Sequence, residues 1–403
     1  MKIPTIIVVT YNRPESLKRL LSSIYYADYS AYKNISLVIS IDGQGHEDIL
    51  NIAEQFDWLH GKKYIIVHEE NLGLRQHILT CGDMSEKFEN IIILEDDMFV
   101  GKFFYDFSVK SLNFYKNEKK ITGISLYAYK QNEYAGKPFI PMQDEHDVFF
   151  MQIPSSWGQI WTKDQWDKFK NFYLNNPEIT EQDKLPDVVK KWPESSWKKY
   201  FYKYMVDFDL YFVYPYISYA TNYADIGVHY PSATTVLQVP LMSIFKETFL
   251  FPEFEKSNII YDAYFEIHNS FFWEIGIKEN IDFCVDFYGL KQIDLFQNEY
   301  WLSIKNCSHP DEQFGLIMLP IENNIIYYVR GSEISFSNKS FYEEFISLDI
   351  EKQITKIYHE LIYDKGFKDG YISGKAFIKS TRFYKLGYFL LKPLKKIINR
   401  INK

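Results

Sequence analysis

Cysteine is scarce in this chain. Cys81, Cys284 and Cys307 are the only three, and they lie far apart with no CxxC spacing. That scarcity excludes a disulfide framework and a sulfur-rich zinc site, and it fits a reducing compartment. Long apolar runs are missing too, and no stretch reaches the roughly 20 residues that span a bilayer. The opening "MKIPTIIVVTYNRPE" has a short apolar run cut by polar residues and Pro14, so it reads as a first strand and not a signal peptide. Net positive charge is absent. The formal charge of −8 argues against a general nucleic-acid binder. There is no internal repeat and no low-complexity linker.

What is present is apolar and aromatic. With 403 residues, 46% of them hydrophobic, the chain can build two or three domains around a large core. Tyr and Phe number 33 each, ample for packing or for stacking on sugars. Charge is unevenly spread: residues 370–403 hold nine of the 45 basic residues and none of the 53 acidic ones. A basic tail on an acidic body points to an anionic surface at one end.

The first hundred residues alternate two periodicities. "TIIVV" (5–9) is a β-branched run suited to a strand buried on both faces of a parallel sheet. Asn12, three residues before Glu15, has capping-box spacing, and Leu17, Leu20, Leu21 and Ile24 then repeat at helical steps. "SLVISID", "KYIIVHE" and "NIIILEDD" read as further strands, with helical segments between them. The alternation predicts an α/β fold with a doubly wound, mostly parallel sheet. From about residue 240, extended segments such as "IDFCVDFYG", "EYWLSI" and "GLIMLPIENNIIYYV" predict a smaller C-terminal α/β or mainly β appendage over 240–340. Residues 341–403 read as a helical region ending in the basic tail.

In such a sheet, ligands bind beyond the carboxyl ends of the strands, where strand order reverses. "IIILEDDMFV" (91–100) puts Glu95, Asp96 and Asp97 at one of those ends. A single acid would suit the start of a following helix. Three in a row against a buried run fit that role poorly, whereas carboxylates suit hard cations such as Mg2+ and Mn2+.

Taken together, "PTIIVVTYNRPESLKRLLSSI", "VISIDGQGHED", "IIILEDDMFV" and "SSWGQIWTKDQW" resemble the GT-A glycosyltransferases over residues 3–235. The likeness is to inverting N-acetylglucosaminyltransferase I-like enzymes with a Glu-Asp-Asp form of the DxD motif, and to bacterial polysaccharide glycosyltransferases. It implies a GT-A catalytic domain over 1–239. It also implies that Asp97 ligates Mn2+ or Mg2+ across the donor diphosphate, that Asp96 faces the ribose and that Glu95 faces the donor sugar. Strand alternation agrees with that division, sending Glu95 and Asp97 one way and Asp96 the other. Asp42 matches the carboxylate that accepts the uracil N3–H, although an Asp-Gly turn explains it as well. Thr10, Tyr11 and Arg13 lie at the first strand-to-helix turn, where they can meet base or phosphates; Arg13 also fits a solvated first turn. Arg75 is a second candidate phosphate contact.

"PSSWGQIWTKDQW" (154–166) offers Trp157 and Gly158 to an acceptor, while Trp161 and Trp166 read as core residues. Inverting transfer needs a carboxylate base. The family places an Asp after the Trp-rich helix, but "KKWPESSWKKYF" (190–201) has Lys198 and Lys199 there. Glu194 is the nearest acid and is taken as the base, with Asp187, Asp207 and Asp209 as further candidates; Glu194 also suits a helix start after Pro193. "TNYADIGVHYPS" (221–232) resembles a loop over the donor, giving Asp225 and His229 as diphosphate or metal contacts, although a lone His is often structural. His46 reads as a surface residue. In the tail, apolar residues from Phe383 to Ile401 recur at three- and four-residue steps with lysines off the stripe. Such a helix suits an anionic membrane surface or the protein's own acidic body.

The expectation is a metal-dependent, inverting glycosyltransferase, cytoplasmic and peripheral to the inner leaflet. It would move sugar from a UDP-sugar to a glycan or lipid-linked glycan in bacterial surface polysaccharide synthesis. Two alternatives stand beside it. A sugar nucleotidyltransferase would also use acids after a parallel strand, but "VVTYNRPES" lacks its Gly-rich basic loop. A non-catalytic glycan-binding protein on the same scaffold is the other.

Overall fold

The run "TIIVV" forms a strand buried at every position, as an apolar stretch inside a parallel sheet should. The computed structural model describes residues 2–43, 45, 47–175, 177–223, 225 and 235–346. In chain order the first half comprises β1 (Thr5–Thr10), α1 (Pro14–Tyr25), β2 (Leu37–Ile41), α2 (Asp48–Gln55), β3 (Lys63–Val67), α3 (Gly73–Asp83), the one-turn α4 (Ser85–Phe88) and β4 (Asn90–Glu95). β1 pairs in parallel with β2 on one side and β4 on the other, and β3 extends the sheet beyond β2. The chain therefore travels outward from β1 to β3 and returns to the opposite flank at β4. That reversal creates the crevice between the carboxyl ends of β1 and β4.

After β4 come β5 (Met98–Val100), α5 (Phe104–Tyr115), β6 (Ile121–Ser125), the short hairpin β7 (Gln131–Asn132) and β8 (Lys137–Pro138), β9 (Val148–Met151) and β10 (Gln159–Thr162). Then follow α6 (Lys163–Leu174), the one-turn α7 (Asp187–Lys190), α8 (Trp197–Asp207), β11 (Tyr211–Pro215) and β12 (Ala220–Asn222). β10 inserts antiparallel between β4 and β6, β11 lies parallel to β6, and β9 lies antiparallel to β11. The result is a doubly wound, mostly parallel sheet with three reversed strands among nine.

The cores on the sheet follow the sequence stripes. Leu17, Leu20, Leu21 and Ile24 of α1 are buried, as their helical spacing predicted. Trp161 and Trp166 are buried core residues, packed on each other and, through Trp161, on Trp197 and Phe201. The predicted capping box at Asn12 does not form. The helix starts at Pro14 with Arg13 in the N-cap position and no side-chain cap, because proline already suits the first helical position.

Residues 240–261 pack against the main sheet instead of opening the appendage. Met242 N–H donates to Ser218 O at 2.8 Å, Tyr115 hydroxyl donates to Pro252 O at 2.9 Å, and Phe254 stacks near Phe150. β13 (Ile260–Tyr261) then joins β9 as the sheet's last strand. Aromatic side chains explain this: Phe249 and Phe251 find their apolar cover on the main core.

The appendage proper is a four-stranded sheet of β14 (Phe283–Asp286), β15 (Tyr300–Ser303), β17 (Glu312–Phe314) and β18 (Ile334–Asn338); β16 (Lys305–Cys307) pairs with β19 (Tyr342–Ile346) beside it. Two expectations change here. "GLIMLPIENNIIYYV" is a turn and a short helix, because both ends of the Asn324 side chain bond the backbone of Ile317, Met318 and Ile321. Residues 342–346, expected to be helical, form a strand against β16. Residues 347–403, including the basic tail, lie outside the described residues.

Candidate active site

The carboxyl end of β4 runs straight into the acid triad, as its sequence position requires. Asp96 is 3% exposed, and its oxygens are both engaged. Thr10 Oγ1, at the end of β1, donates to Asp96 Oδ2 at 2.9 Å, and Arg13 Nη2 donates to Oδ1. Arg13 Nη1 reaches Asp97 Oδ2 at 3.0 Å, while Asn222 of β12 donates to Asp97 Oδ1 at 3.2 Å. One guanidinium thus spans two carboxylates. Burial works against its charge, but Asp96 and Asp97 outweigh burial and hold the Arg13 pKa above its ordinary value.

The neighbouring acids respond in the opposite sense. Burial, reinforced by the Asp97 charge, pushes the half-buried Glu95 carboxyl well above the carboxylate range, against the pull of Arg13 and Lys198. Burial likewise lifts Asp96 to about 6, with Arg13 opposing it. One guanidinium bonds two of the three acids and Lys198 acts on the third from farther away, which leaves an excess of negative charge on hard oxygen atoms. This donor set fits a divalent cation. The three carboxyls do not converge on one point as a ready-made cage. Among the described residues, only Asp144, Glu145 and His146, on an exposed loop, bring three such ligand atoms within 4.8 Å of one another. Of the two carboxyls that Arg13 bridges, Asp97 is the more accessible, with 18% of its side chain exposed against 4% for Asp96. Asp96, expected to face the ribose, is buried and bonds Thr10 and Arg13.

Asp42, expected to meet the uracil, is held by three backbone N–H groups. Its Oδ1 accepts Gly43 N–H at 2.9 Å and Leu72 N–H at 2.7 Å, and Oδ2 accepts Gly73 N–H at 3.1 Å. It caps α3 from the neighbouring strand, using three of about four lone-pair positions of a carboxylate. Gly73 has φ +70°, a left-handed conformation that glycine adopts freely, so the turn into α3 forms without strain. Tyr11 is half-buried at the turn after β1, and its carbonyl lies close against Gly45.

Other nominated residues are spoken for structurally. Arg75 Nη1 donates to Glu194 O at 2.6 Å, strapping α3 to the segment before α8. The Glu194 side chain is 73% exposed and pairs with Lys199 at 2.8 Å. Hydrogen bonds from Lys199 and Tyr200 hold its pKa below the ordinary carboxylate value, which weakens it as a proton acceptor. Both Glu194 carboxyl oxygens are thus engaged within the protein. Gly158 has a structural task. It is buried with φ +83°, and an added Cβ would lie 2.9 Å from Leu126 Cβ, so glycine is there for backbone conformation and packing. Asp225 accepts Ser16 Oγ at 2.7 Å and pairs with Arg19, anchoring its loop on α1. His229 and His46 lie outside the described residues.

Trp157 is half-buried in an aromatic wall, 4.6 Å from Tyr127 and 5.7 Å from Tyr129 between ring centroids. The surprise is the lysine that interrupted the family pattern. Lys198 on α8 is buried, 5.8 Å from the Trp157 ring, 5.7 Å from Trp192 and 3.2 Å from Tyr129 hydroxyl. Burial lowers its pKa, while Glu133 and Glu95 oppose the shift. Glu133, at the tip of the β7–β8 hairpin, was missed in the sequence. The available signal was Asn132 four residues before Gly136, a tight-turn pattern that fixes an acid between tyrosines.

No family model matches the chain, and no curated protein matches it in sequence. Solved structures are similar at low levels. One is a Pyrobaculum calidifontis mannosyltransferase, PcManGT, in complex with GDP-Man and Mn2+, at 14% identity and TM-score 0.30, covering 40% of this chain and 45% of that one. Another is GalNAc-T7 with UDP, GalNAc and Mn2+, at 12% identity and TM-score 0.39, covering 54% and 43% respectively. A third is S. aureus TarS 1–349 in complex with UDP-GlcNAc, at 13% identity and TM-score 0.36, covering 54% and 57%. The chain spans less than two thirds of each of these structures.

Proposed function

We propose that the protein is a metal-dependent glycosyltransferase that takes a nucleotide sugar, a UDP-sugar in the first instance, and passes the sugar to a glycan acceptor. The observation that carries this reading is the position of the acid triad at the β1/β4 strand reversal, with one guanidinium for three carboxyls. The α1 N-terminus supports it, since it opens beside the triad without a side-chain cap and suits a diphosphate. The aromatic wall at Trp157 supports a sugar-binding role on the acceptor side.

Bound at Asp97, a divalent cation would offset the charge that builds on the departing diphosphate. The chain's own residues do the rest. Asp96 holds Thr10 and Arg13 in register, and Arg13 fixes the Asp97 carboxylate together with Asn222. Glu95 would face the donor sugar. Direct displacement with inversion, a lipid-linked polysaccharide acceptor and attachment to the inner leaflet through residues 370–403 complete the proposal.

A panel of UDP-GlcNAc, UDP-glucose, UDP-galactose and GDP-mannose, assayed for nucleoside diphosphate release with Mn2+, tests it. At least one donor is expected to turn over, EDTA to stop the reaction, and Asp97→Asn to lower the rate about 100-fold. Unchanged turnover in Asp97→Asn would sink the site assignment.

A further inference from the structure

An inverting transfer needs a carboxylate with a free lone pair beside the acceptor hydroxyl. The four acids nominated from the sequence are each already engaged by a cation or a hydrogen-bond donor. Glu194 is held by Lys199 and Tyr200; Asp187 accepts Gln292 at 2.8 Å and lies 3.5 Å from Lys190. Asp207 pairs with Lys203 at 3.2 Å, and Asp209 accepts Tyr211 hydroxyl at 2.7 Å while pairing with Lys120.

Glu133 stands apart from these. It is half-buried, and among the described residues no hydrogen bond ties down its carboxyl. Its backbone is rigidly built. Asn132, fully buried, accepts Tyr134 N–H at 3.0 Å and Ala135 N–H at 3.2 Å on its side-chain oxygen. The Asn132 amide nitrogen donates to Tyr264 O at 3.2 Å, and its carbonyl accepts Gly136 N–H at 2.9 Å. Tyr134 hydroxyl bonds Tyr202 hydroxyl, pinning the hairpin tip to α8. That same helix carries Lys198 amid Tyr129, Trp157 and Trp192, and the Tyr134 ring at the hairpin tip lies 6.4 Å from the Trp192 ring. Lys198 also acts electrostatically on Glu133 and Glu95. The hairpin tip, with its free carboxyl, thus packs beside the aromatic residues that surround Lys198.

We propose that Glu133 is the catalytic base, taking the proton of the acceptor hydroxyl at the Trp157 wall, with Lys198 as its positioning residue. This rests on the glycosyl-transfer reading above. The acceptor O–H bond breaks as its oxygen bonds the anomeric carbon, and the proton goes to the Glu133 carboxylate. The bond from the anomeric carbon to the phosphate oxygen breaks, and its electron pair leaves on the nucleoside diphosphate. Burial raises the Glu133 pKa, which strengthens it as a proton acceptor, while Lys198 favours the ionised form.

The test uses the full chain with Mn2+ and the donor panel, comparing wild type, Glu133→Gln and Glu133→Asp. UDP affinity in the presence of Mn2+ is expected to stay within about twofold in both variants. Donor turnover with water should fall 100-fold or more in Glu133→Gln and less in Glu133→Asp, which keeps a carboxyl. Azide, an anion that needs no deprotonation, should recover turnover in Glu133→Gln as a glycosyl azide. Wild-type turnover in Glu133→Gln, or loss of its UDP binding, would overturn the assignment. Failure of wild type to bind UDP with Mn2+ would instead overturn the transfer reading itself.

Discussion

Arg13 is the residue on which the acid triad depends. Removing a partner from a buried ion pair leaves an uncompensated charge, and Asp96 has almost no solvent to turn to. Arg13→Ala should therefore cost about 2 kcal/mol in urea unfolding, less than a fully buried pair because the guanidinium is partly open. Adding Asp96→Asn should recover more than half of that loss, and strict additivity of the two changes would refute the coupling. The triad itself was legible in the sequence, since three acids after "IIIL" have few other uses. What Arg13, Asp42 and Glu194 do was less legible. Each offers two plausible roles in the chain, and only the tertiary partner decides: two carboxylates for Arg13, the start of α3 for Asp42, Lys199 and Tyr200 for Glu194.

Among the elements, the β7–β8 hairpin is small, yet its tip carries Glu133 and packs against Tyr202 and Trp192 through Tyr134. Asn132→Ala removes acceptors from two backbone N–H groups and a donor from Tyr264 O, so the tip should loosen. Donor turnover is expected to fall about tenfold with UDP binding unchanged. Asn132→Asp keeps the accepting oxygen but sets a carboxylate against Tyr264 O, so it should recover only part of the rate; a loss of UDP binding in Asn132→Ala would argue against a positioning role. Regular alternation made β1 to β4 and their helices readable, because each carries its own period. The hairpin has two-residue strands and no period to read. β9 and β11 take their places only through pairing across the sheet, and residues 315–329 are turned aside by the Asn324 side chain.

The whole molecule has an acidic body, and its crevice concentrates that charge at the reversal between β1 and β4. A nucleoside diphosphate is itself an anion, so the crevice should repel it unless a cation is shared between them. This makes metal dependence of nucleotide binding the central claim, independent of which sugar or acceptor is used. Isothermal titration of UDP into the full chain, with Mn2+ and again with EDTA, measures it directly. The account predicts binding with Mn2+ that weakens at least about tenfold in EDTA and in Asp97→Asn. Equal UDP affinity with and without Mn2+, or no binding in either, would contradict it.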